Sequence, residues 1–535
     1  MSSSRYKGSA SRKQSKSSTA SHKSRRKPGV AATTGFIDHD KKVVVERLAD
    51  DGRGIATVNG QTLFIDGALV DETVTVTVTH SSSRYIESRV RQLIVASPQR
   101  REPLCPVFSR CGGCSVQYMP IQDQLTFKQR TVLSQLSRWS SVVPDNVLPP
   151  VSDQEYRYRQ RVRLAVDYTK TGEVMLGFRE ADSHAIVNTD RCEVLISSLK
   201  PMLPLLREWL SGIPAKGVSH IELVNTATAI GVVVRHIRSL SNVDKQALLL
   251  LLDGLSVVVN IWFQPQKGSG LYDAEGQLAD PRLSYEINAD KPLNLQFHPQ
   301  DFIQSNHHVN QQMIRQAIEL LAPQSDEVIL DLFCGIGNFS LPLALRAKHV
   351  IGIEGISPMV ARATANAKLN QINNASFMVK DLSAVDSWTA LLRSGVGSDP
   401  RSDLSSTNIH SANSAFTVTP LTIDALLLDP PRAGAKAVCE KINELSPQRI
   451  VYVSCDSSTF SRDAGILVNS GYRLAQLGVM DMFPQTSHVE IMALFTIDPS
   501  FKKGKISRNT HQKSTRSVSS AKTSSTKIKR TLKTG

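Results

Sequence analysis

The stretch Val451-Tyr452-Val453-Ser454-Cys455-Asp456 has the composition of a buried strand that ends in a polar turn. Uncharged runs of β-branched and aromatic residues are typical of strands inside a parallel sheet. Ligands of open α/β sheets bind beyond the carboxyl ends of such strands. Cys455 is therefore placed where a nucleophile would act, although a free cysteine in a turn is often only a small apolar residue.

Strand and helix patterns alternate around that stretch, from about residue 297 to 497. The sequence predicts strands over 328–332, 350–354, 376–379, 425–429, 449–454 and 489–495, with helices from about 339 and over 357–369. This alternation predicts a Rossmann-like α/β domain. The polar segment 394–419 is predicted to be a surface insert of that domain.

Residues at the predicted strand ends indicate the ligand. The run Asp331-Leu332-Phe333-Cys334-Gly335-Ile336-Gly337-Asn338-Phe339 has Ser340 where a dinucleotide fingerprint has its third glycine. Glu354 ends the second strand, where an acid can bind ribose hydroxyls. With Asp429-Pro430-Pro431-Arg432 after the fourth strand, the pattern favours S-adenosylmethionine. Arg432 replaces the aromatic residue of amino-group methyltransferases, which argues against N-methylation.

Cys455 and Glu490 are the two groups that methylation of a pyrimidine carbon requires. A thiolate that adds to C6 makes C5 nucleophilic toward a sulfonium methyl group, and a base must then remove the C5 proton. Glu490 lies in the apolar run 488–495, where burial would raise its pKa and make it a competent base. A structural salt bridge is the alternative role for Glu490.

Four of the seven cysteines have the spacing of metal ligands. Cys105, Cys111 and Cys114 form a C-x5-C-x2-C pattern, and Cys192 follows much later. Four thiolates bind either zinc or an iron–sulfur cluster. Zinc sites usually contain two C-x2-C pairs, and this sequence has one. The pattern therefore favours a [4Fe-4S] cluster with a structural role, which would hold residue 192 next to residue 114.

The other segments are a β module, a central domain and two tails. Short strands and turns over residues 39–97 predict an OB-like β-barrel that resembles the TRAM domain. Residues 98–296 are predicted to form an α+β central domain, in which 156–163 alternates as a strand with four arginines on one face. The Ser/Thr-rich tails, residues 1–38 and 498–535, are predicted to be disordered.

The formal net charge of +15 belongs to the two tails. Residues 1–36 contain nine Lys/Arg and residues 501–535 contain eleven, with no acid in either, which leaves the body at −5. Such tails suit contact with a polyanion such as RNA, or they only solubilise the protein. There is no apolar run of 18 uncharged residues and no apolar segment after Met1. We therefore expect a cytoplasmic protein without a membrane span or secretory signal.

Over residues 39–497 the chain resembles the bacterial 23S rRNA (uracil-5-)-methyltransferases of the RlmD type. The resemblance rests on the motifs above, together with Asp301-Phe302-Ile303-Gln304 and His488-Val489-Glu490. It implies Cys455 as the nucleophile and Glu490 as the base. The implied S-adenosylmethionine contacts are Gln304, Phe333, Asn338, Glu354, Asp381 and Asp429, and the implied [4Fe-4S] ligands are Cys105, Cys111, Cys114 and Cys192.

The resemblance also implies a substrate, one uridine of 23S rRNA, and a monomeric enzyme. A TRAM-like module combined with a cluster favours this branch over an rRNA branch without the module and a tRNA enzyme with neither. Asp381 departs from the family, which often has asparagine there. The alternatives are a C5 methyltransferase for a uridine of tRNA or another rRNA site, and an RNA-binding chaperone on an inactive methyltransferase scaffold.

Overall fold

The computed structural model describes residues 41–181, 183–213, 217–268, 270–393 and 422–501. The predicted insert at 394–419 and both predicted tails, except residues 498–501, lie outside these ranges. The described chain contains a six-stranded sheet, two eight-stranded sheets and a two-stranded sheet. None of the helices in these ranges is both long enough and apolar enough to cross a bilayer.

The first sheet closes into a small barrel. Its strands are β1 (Val43–Val44), β2 (Arg47–Leu48), β3 (Gly54–Val58), β4 (Gln61–Asp66), β5 (Thr73–Ser81) and β6 (Tyr85–Val95). β1 pairs with β5 and β2 pairs with β3, so the first segment joins the two ends of the sheet. Alternate residues such as Leu63, Ile65 and Val74 are fully buried inside. This is the small barrel that the sequence predicted.

The second sheet forms the middle of the chain. The elements from residue 121 to 279 are α1 (Ile121–Ser140), β7 (Asn146–Val147), β8 (Arg161–Tyr168), β9 (Val174–Arg179), β10 (Ile186–Asn188), α2 (Met202–Gly212), β11 (Val218–Asn225), β12 (Ala229–His236), α3 (Asn242–Asp253), β13 (Val258–Pro265), β14 (Leu271–Tyr272) and β15 (Leu278–Ala279). The sheet has the order β10-β9-β8-β11-β12-β13-β14-β15 and is antiparallel except between β12 and β13. Leucines of α2 and α3 share one apolar core with it.

The four-arginine face predicted for residues 156–163 is not formed. Arg157 has a φ of +58°, a left-handed conformation that ends the predicted alternation, and β8 begins only at Arg161. The guanidinium group of Arg161 donates to the carbonyl of Pro299 (2.7 Å) and pairs with Glu222 (3.2 Å). This arginine therefore stabilises the turn around Pro299. The alternating pattern could not reveal it, because side-chain spacing says nothing about φ.

The third large sheet forms the predicted Rossmann-like domain, which is named the catalytic domain because it contains Cys455 and Glu490. The remaining elements are β16 (Leu283–Asn288), β17 (Pro292–Phe297), α4 (His307–Leu321), β18 (Val328–Leu332), α5 (Ser340–Ala344), β19 (His349–Glu354), α6 (Ser357–Leu369), β20 (Ala375–Val379), α7 (Val385–Arg393), β21 (Ala425–Leu428), α8 (Lys436–Glu440), α9 (Ile442–Leu445), β22 (Arg449–Ser454), α10 (Ser457–Asn469), β23 (Tyr472–Met480) and β24 (Glu490–Ile497). The order is β20-β19-β18-β21-β22-β24-β23-β7, with β24 antiparallel to both neighbours. The Rossmann-like prediction is confirmed, and the strand order turns back at β18, where such sheets bind ligands.

Burial of both faces explains why the stretch around β22 has no polar alternation. Val451 and Val453 belong to the apolar core on one side of the sheet, and Ile450 and Tyr452 to the core on the other. All four are fully buried. Each such side chain stabilises the fold by about 1.5–3 kcal/mol, so this strand contributes to both cores of the domain.

A buried ion pair attaches α1 to the catalytic sheet. Lys128 Nζ lies 2.6 Å from Asp481 Oδ1, and both side chains are fully buried. α1 also packs against α10, and β7 pairs with β23. Residues 121–147 therefore form part of the catalytic domain, although the sequence placed them in the central domain.

Replacing Lys128 with methionine is expected to lower the free energy of unfolding by about 3–5 kcal/mol, because it leaves a buried carboxylate without its partner. Urea unfolding of the catalytic domain measures the change. Lys436→Met, at an exposed lysine, is the matched control. The double variant Lys128→Met/Asp481→Leu should recover most of the loss, and equal stability of the single variant and the parent would contradict the account.

Candidate active site

Three chemical groups meet at one end of the catalytic sheet. Asp429 directly follows β21 and Cys455 directly follows β22, and these strands are parallel neighbours. Glu490 begins β24, which runs antiparallel to β22 with Ile491 opposite Ser454. The reversed direction of β24 brings its first residue to the edge where β21 and β22 end. Because neighbouring strands are about 4.8 Å apart, one ligand can reach all three groups.

Cys455 is half-buried in this group. Burial, followed by the nearby carboxyls of Glu490 and Asp429, raises the pKa of its thiol to about 11, and Arg432 acts in the opposite direction. The next residue, Asp456, caps α10 by accepting two backbone N–H groups of its first turn at 3.0 and 2.9 Å. The cap fixes the turn that presents the thiol. In the free protein this thiol is protonated at neutral pH.

Glu490 is 7% exposed, and its carboxylate is the candidate base of this site. Burial, together with Asp429, raises its pKa to about 8, while Arg432 lowers it. Within the described ranges no side chain or N–H group forms a hydrogen bond or salt bridge with this carboxyl. The geometry therefore lacks the structural ion pair that was the alternative role for Glu490.

The loop that carries Arg432 is held by the residues after Cys455. The hydroxyl of Thr459 donates to the carbonyl of Arg432 (3.0 Å). Asp463, which is fully buried, accepts the N–H of Ala435 (2.8 Å) and the hydroxyl of Tyr452 (2.8 Å). Helix α10 and strand β22 thus fix the position of Arg432. Thr459 and Asp463 follow Cys455 closely in the sequence, but their residue types and spacing did not indicate that they hold the loop of Arg432.

A strained loop follows β18 at the point where the strand order reverses. Phe333, Gly335 and Gly337 have φ values of +65°, +57° and +94°. For Phe333 the left-handed conformation costs about 1–3 kcal/mol, a cost usually found at ligand sites. Glu354, at the end of β19, accepts the N–H of Gly335 (3.3 Å) and that of Ile356 (3.0 Å). The predicted contacts Phe333 and Glu354 therefore lie at the neighbouring ends of β18 and β19.

Asn338 and Gln304 both lie close to the same residues of helix α4 and strand β16. The amide oxygen of Asn338 accepts from the hydroxyl of Tyr285 (3.0 Å) and from Asn310 (3.2 Å), and its amide nitrogen donates to Asn310 (3.1 Å). Gln304 lines a cavity together with Tyr285 and Asn310. The side chain of Asn338 is thus fixed by the protein itself. Tyr285 and Asn310 are supporting residues that the sequence analysis missed.

Three carboxyls surround the strained loop. Asp331 is fully buried, one of its oxygens accepts the hydroxyl of Ser340, and the other has no hydrogen-bond partner among the described residues. Burial raises the pKa of Asp331 and that of Asp429 to about 7, and for Asp331 the charges of Asp429 and Glu354 add to the effect. A cluster of acids favours a cationic ligand. S-adenosylmethionine carries a sulfonium and an ammonium group.

Asp381 stands apart from this cluster. It is exposed, and its carboxylate accepts the N–H (2.9 Å) and the hydroxyl (2.7 Å) of Ser383, which holds its pKa below the usual range. The N–H of Lys380 donates to the carbonyl of Glu354 (3.1 Å), so Asp381 lies at the same edge of the sheet. The structure thus groups the other predicted contacts around the loop and places Asp381 at its exposed border.

The four cysteines predicted as metal ligands line one cavity. The lining thiols are Cys105, Cys111, Cys114 and Cys192. Burial raises the pKa of Cys114 to about 11 and that of Cys192 to about 12, and the neighbouring thiols contribute to both. Cys111 forms a backbone bridge with Glu180, which precedes Cys192 in the chain. The fold therefore brings residue 192 next to the 105–114 segment.

Four thiols that line one cavity are a donor set for zinc or for an iron–sulfur cluster. In the part of the chain that the structure describes, no three His, Cys, Asp or Glu side chains are close enough to hold one metal ion. A zinc ion with Zn–S bonds of about 2.3 Å needs four closely packed sulfurs. An iron–sulfur cluster occupies space between its four thiolates and holds them further apart. The cavity is thus compatible with the predicted cluster, but the cluster itself is not shown.

Two sequence families match this chain. Residues 123–497 match the family described as tRNA (Uracil-5-)-methyltransferase. Residues 41–90 match the TRAM domain. The first match covers more than half of the chain and contains every strand of the catalytic sheet. The second contains β1 to β5, so it coincides with most of the barrel.

Several curated relatives cover nearly the whole chain. A Pseudomonas putida protein named 23S rRNA (uracil(1939)-C(5))-methyltransferase RlmD is 39% identical over 461 residues, which are 86% of this chain and 94% of the relative. Proteins of the same name are 38% identical in Hahella chejuensis, covering 84% and 96%, and 41% identical in Pseudomonas fluorescens, covering 86% and 94%.

A solved structure shares the fold. The tRNA (uracil-54, C5)-methyltransferase of Pyrococcus abyssi, in complex with S-adenosyl-L-homocysteine, matches with a TM-score of 0.60 over 85% of this chain and 100% of that chain. The sequence identity is 22%, so this likeness shows the fold alone.

Proposed function

Because the chain belongs to the RlmD family of 23S rRNA (uracil-5-)-methyltransferases, we propose that it methylates C5 of U1939 in 23S rRNA to give 5-methyluridine. The observation that carries the proposal is the group formed by Cys455, Glu490 and Arg432 at the sheet edge, beside the strained loop 333–338 and the carboxyls around it. The TRAM barrel supports RNA as the substrate. We place the reaction in the cytoplasm, carried out by a monomer.

The first step is the addition of the Cys455 thiolate to C6 of the uracil ring. The bond moves electrons onto C5 and O4, and the ring becomes an enolate. The thiol has a pKa of about 11 in the free protein, so its proton must pass to solvent water before the sulfur adds to C6. Arg432 opposes the rise in the pKa of both Cys455 and Glu490, and it is the cation positioned to stabilise first the thiolate and then the enolate.

S-adenosylmethionine supplies an electrophilic methyl group to C5 when it is bound beside the loop 333–338. We propose Gln304, Phe333, Asn338, Glu354, Asp381 and Asp429 as the residues that hold it. The buried carboxyls of Asp331 and Asp429 would complement its positive charges, and Glu354 would bind the ribose hydroxyls. Asp381 contributes least, because Ser383 already occupies its carboxylate.

The last step regenerates the Cys455 thiolate. After methyl transfer C5 still bears its proton, and Glu490 removes it as a carboxylate. The C5–H electrons restore the C5–C6 double bond, and the bond from C6 to the Cys455 sulfur breaks. Glu490 ends protonated and the thiolate is free. A buried carboxyl is well suited to this exchange, because its pKa lies close to the working pH.

The pH dependence of kcat/KM follows from the same groups. We expect kcat/KM to fall about 100-fold per pH unit below about pH 8, because Glu490, with its pKa raised to about 8, and the Cys455 thiol, with its pKa raised to about 11, must then both lose a proton. The charged groups that face it are Asp429, Arg432 and Cys455. Methyl transfer measured from about pH 6 to 9 tests this. A flat profile over that range would contradict Glu490 as the base.

We also propose a [4Fe-4S] cluster on Cys105, Cys111, Cys114 and Cys192, with a structural role. Protein purified without oxygen should be brown and contain about four iron and four sulfide per chain. Cys111→Ser should lower both contents, whereas Cys439→Ser, at a buried cysteine outside the cavity, should lower neither. One zinc per chain without sulfide would contradict the cluster.

Nucleoside mapping of rRNA tests the function as a whole. Deletion of the gene should remove 5-methyluridine at U1939. Expression of the parent protein should restore it, and expression of Cys455→Ala should not. Loss of 5-methyluridine from tRNA alone would show instead that the enzyme acts on tRNA, and loss from neither RNA would overturn the proposal.

A further inference from the structure

The loop between β23 and β24 leads into the proposed base. It contains residues 481–489, and Glu490 follows at once as the first residue of β24. Gln485 lies at its centre, fully buried and with a φ of +71°. A glutamine seldom adopts this left-handed conformation, so the surrounding contacts have to hold it there.

The side chain of Gln485 uses both ends of its amide. The oxygen accepts from Arg101 (3.0 Å) and from Gln124 (3.0 Å). The nitrogen donates to the carbonyl (3.4 Å) and the carboxylate (3.5 Å) of Glu155. These partners lie more than 300 positions away in the sequence. One buried amide therefore joins three separate segments to the loop.

The backbone of Gln485 is bound as well. Its N–H donates to the amide oxygen of Gln124 (2.9 Å), and its carbonyl accepts the N–H groups of Ser115 (2.9 Å) and Val116 (3.1 Å). Ser115 also accepts, through its hydroxyl, the N–H of Ser487 (3.0 Å). Ser115 directly follows Cys114. Hydrogen bonds therefore connect the loop before Glu490 to the segment that lines the cysteine cavity.

We propose that Gln485 is a positioning residue for Glu490, setting the approach of that carboxylate to C5 by fixing its loop against α1 and the segment after Cys114. The inference rests on the proposed function, because it presupposes that Glu490 is the base. A general base must come within hydrogen-bond reach of its proton. A displacement of about 1 Å is enough to cost about 100-fold in rate.

The order of the chemical steps separates this role from simple stabilisation. Glu490 acts only after the Cys455–C6 bond has formed and the methyl group has moved. A displaced base therefore lowers product while the covalent RNA–protein adduct accumulates. A variant that merely loosens the fold lowers adduct and product together. The fraction of RNA held in an SDS-resistant adduct is thus the informative measurement.

Gln485→Gly is the first variant, because glycine accepts the positive φ and removes all side-chain bonds. We expect kcat to fall about 10- to 100-fold with KM for S-adenosylmethionine unchanged, and the adduct fraction to rise. Gln371→Gly is the matched control: it removes the same residue type at a φ of +57°, but at an exposed position after α6. It should leave both readouts unchanged.

Gln485→Glu is the second variant, which keeps the shape and the acceptor but replaces the donor to Glu155 with an oxygen that the Glu155 carboxylate repels. It should also lower kcat and raise the adduct fraction. It therefore tests the proposal even if Gln485→Gly folds poorly. Glu490→Gln is run beside both. Adduct in Glu490→Gln but in neither Gln485 variant would overturn the positioning role alone. Absence of adduct in Glu490→Gln would instead overturn the role of Glu490 as the base, on which this inference rests.

Discussion

Replacement of Cys455 by alanine is expected to reduce methyl transfer by about 10⁴-fold or more, because no other group in the site can add to C6. Without that bond C5 carries no negative charge and cannot attack a sulfonium methyl group. Transfer of labelled methyl groups from S-adenosylmethionine to rRNA measures the rate. No RNA–protein adduct should form either.

Cys439→Ala is the matched control for this variant, since Cys439 is buried in α8 and is not among the residues proposed to react or to bind S-adenosylmethionine. Its activity should stay within about threefold of the parent, because it tests only the loss of one buried thiol. A Cys455→Ala protein that methylates RNA at the parent rate would exclude the covalent mechanism.

Replacement of Glu490 by glutamine is expected to lower turnover by about 10²- to 10⁴-fold while trapping the RNA–protein adduct. Glutamine has the shape of the acid but cannot accept the C5 proton, so the thiolate cannot leave. The fold should tolerate it, because a pKa of about 8 means that the site already favours a neutral side chain at neutral pH. An SDS gel of enzyme mixed with rRNA and S-adenosylmethionine shows the adduct.

The double variant Glu490→Gln/Cys455→Ala is the control for that gel, and it should show free protein only. Its comparison with Glu490→Gln separates a bond through Cys455 from other crosslinks. Normal turnover of Glu490→Gln with no adduct would mean that another group removes the proton. Asp429 would then be the nearest candidate, because it faces both Cys455 and Glu490.

The sequence predicted most accurately those strands that combine a hydrophobic run with a residue of the proposed site at or after their end. The predicted strand at 449–454 is β22 as observed, and the strand at 328–332 is β18. Their mostly apolar runs could be recognised because both faces of these strands are buried. The polar residues that follow these strands lie at one edge of the sheet because parallel strands end on the same side.

Other features depend on contacts that no local pattern records. The amide of Gln485 meets that of Gln124, 361 positions earlier in the chain. The amide of Asn338 is paired with Asn310 on a different element. The raised pKa of Cys455 also results from burial and from carboxyls on neighbouring strands. Such contacts arise from the tertiary arrangement, so a reading of residue types and spacing could not have predicted them.

Mass spectrometry of the adduct trapped by Glu490→Gln gives the sharpest test of the covalent pathway. After digestion, the peptide that contains Cys455 should carry a uridine with one added methyl group, joined through sulfur. Methylated RNA with no link to that cysteine, or a link through any other residue, would contradict the account.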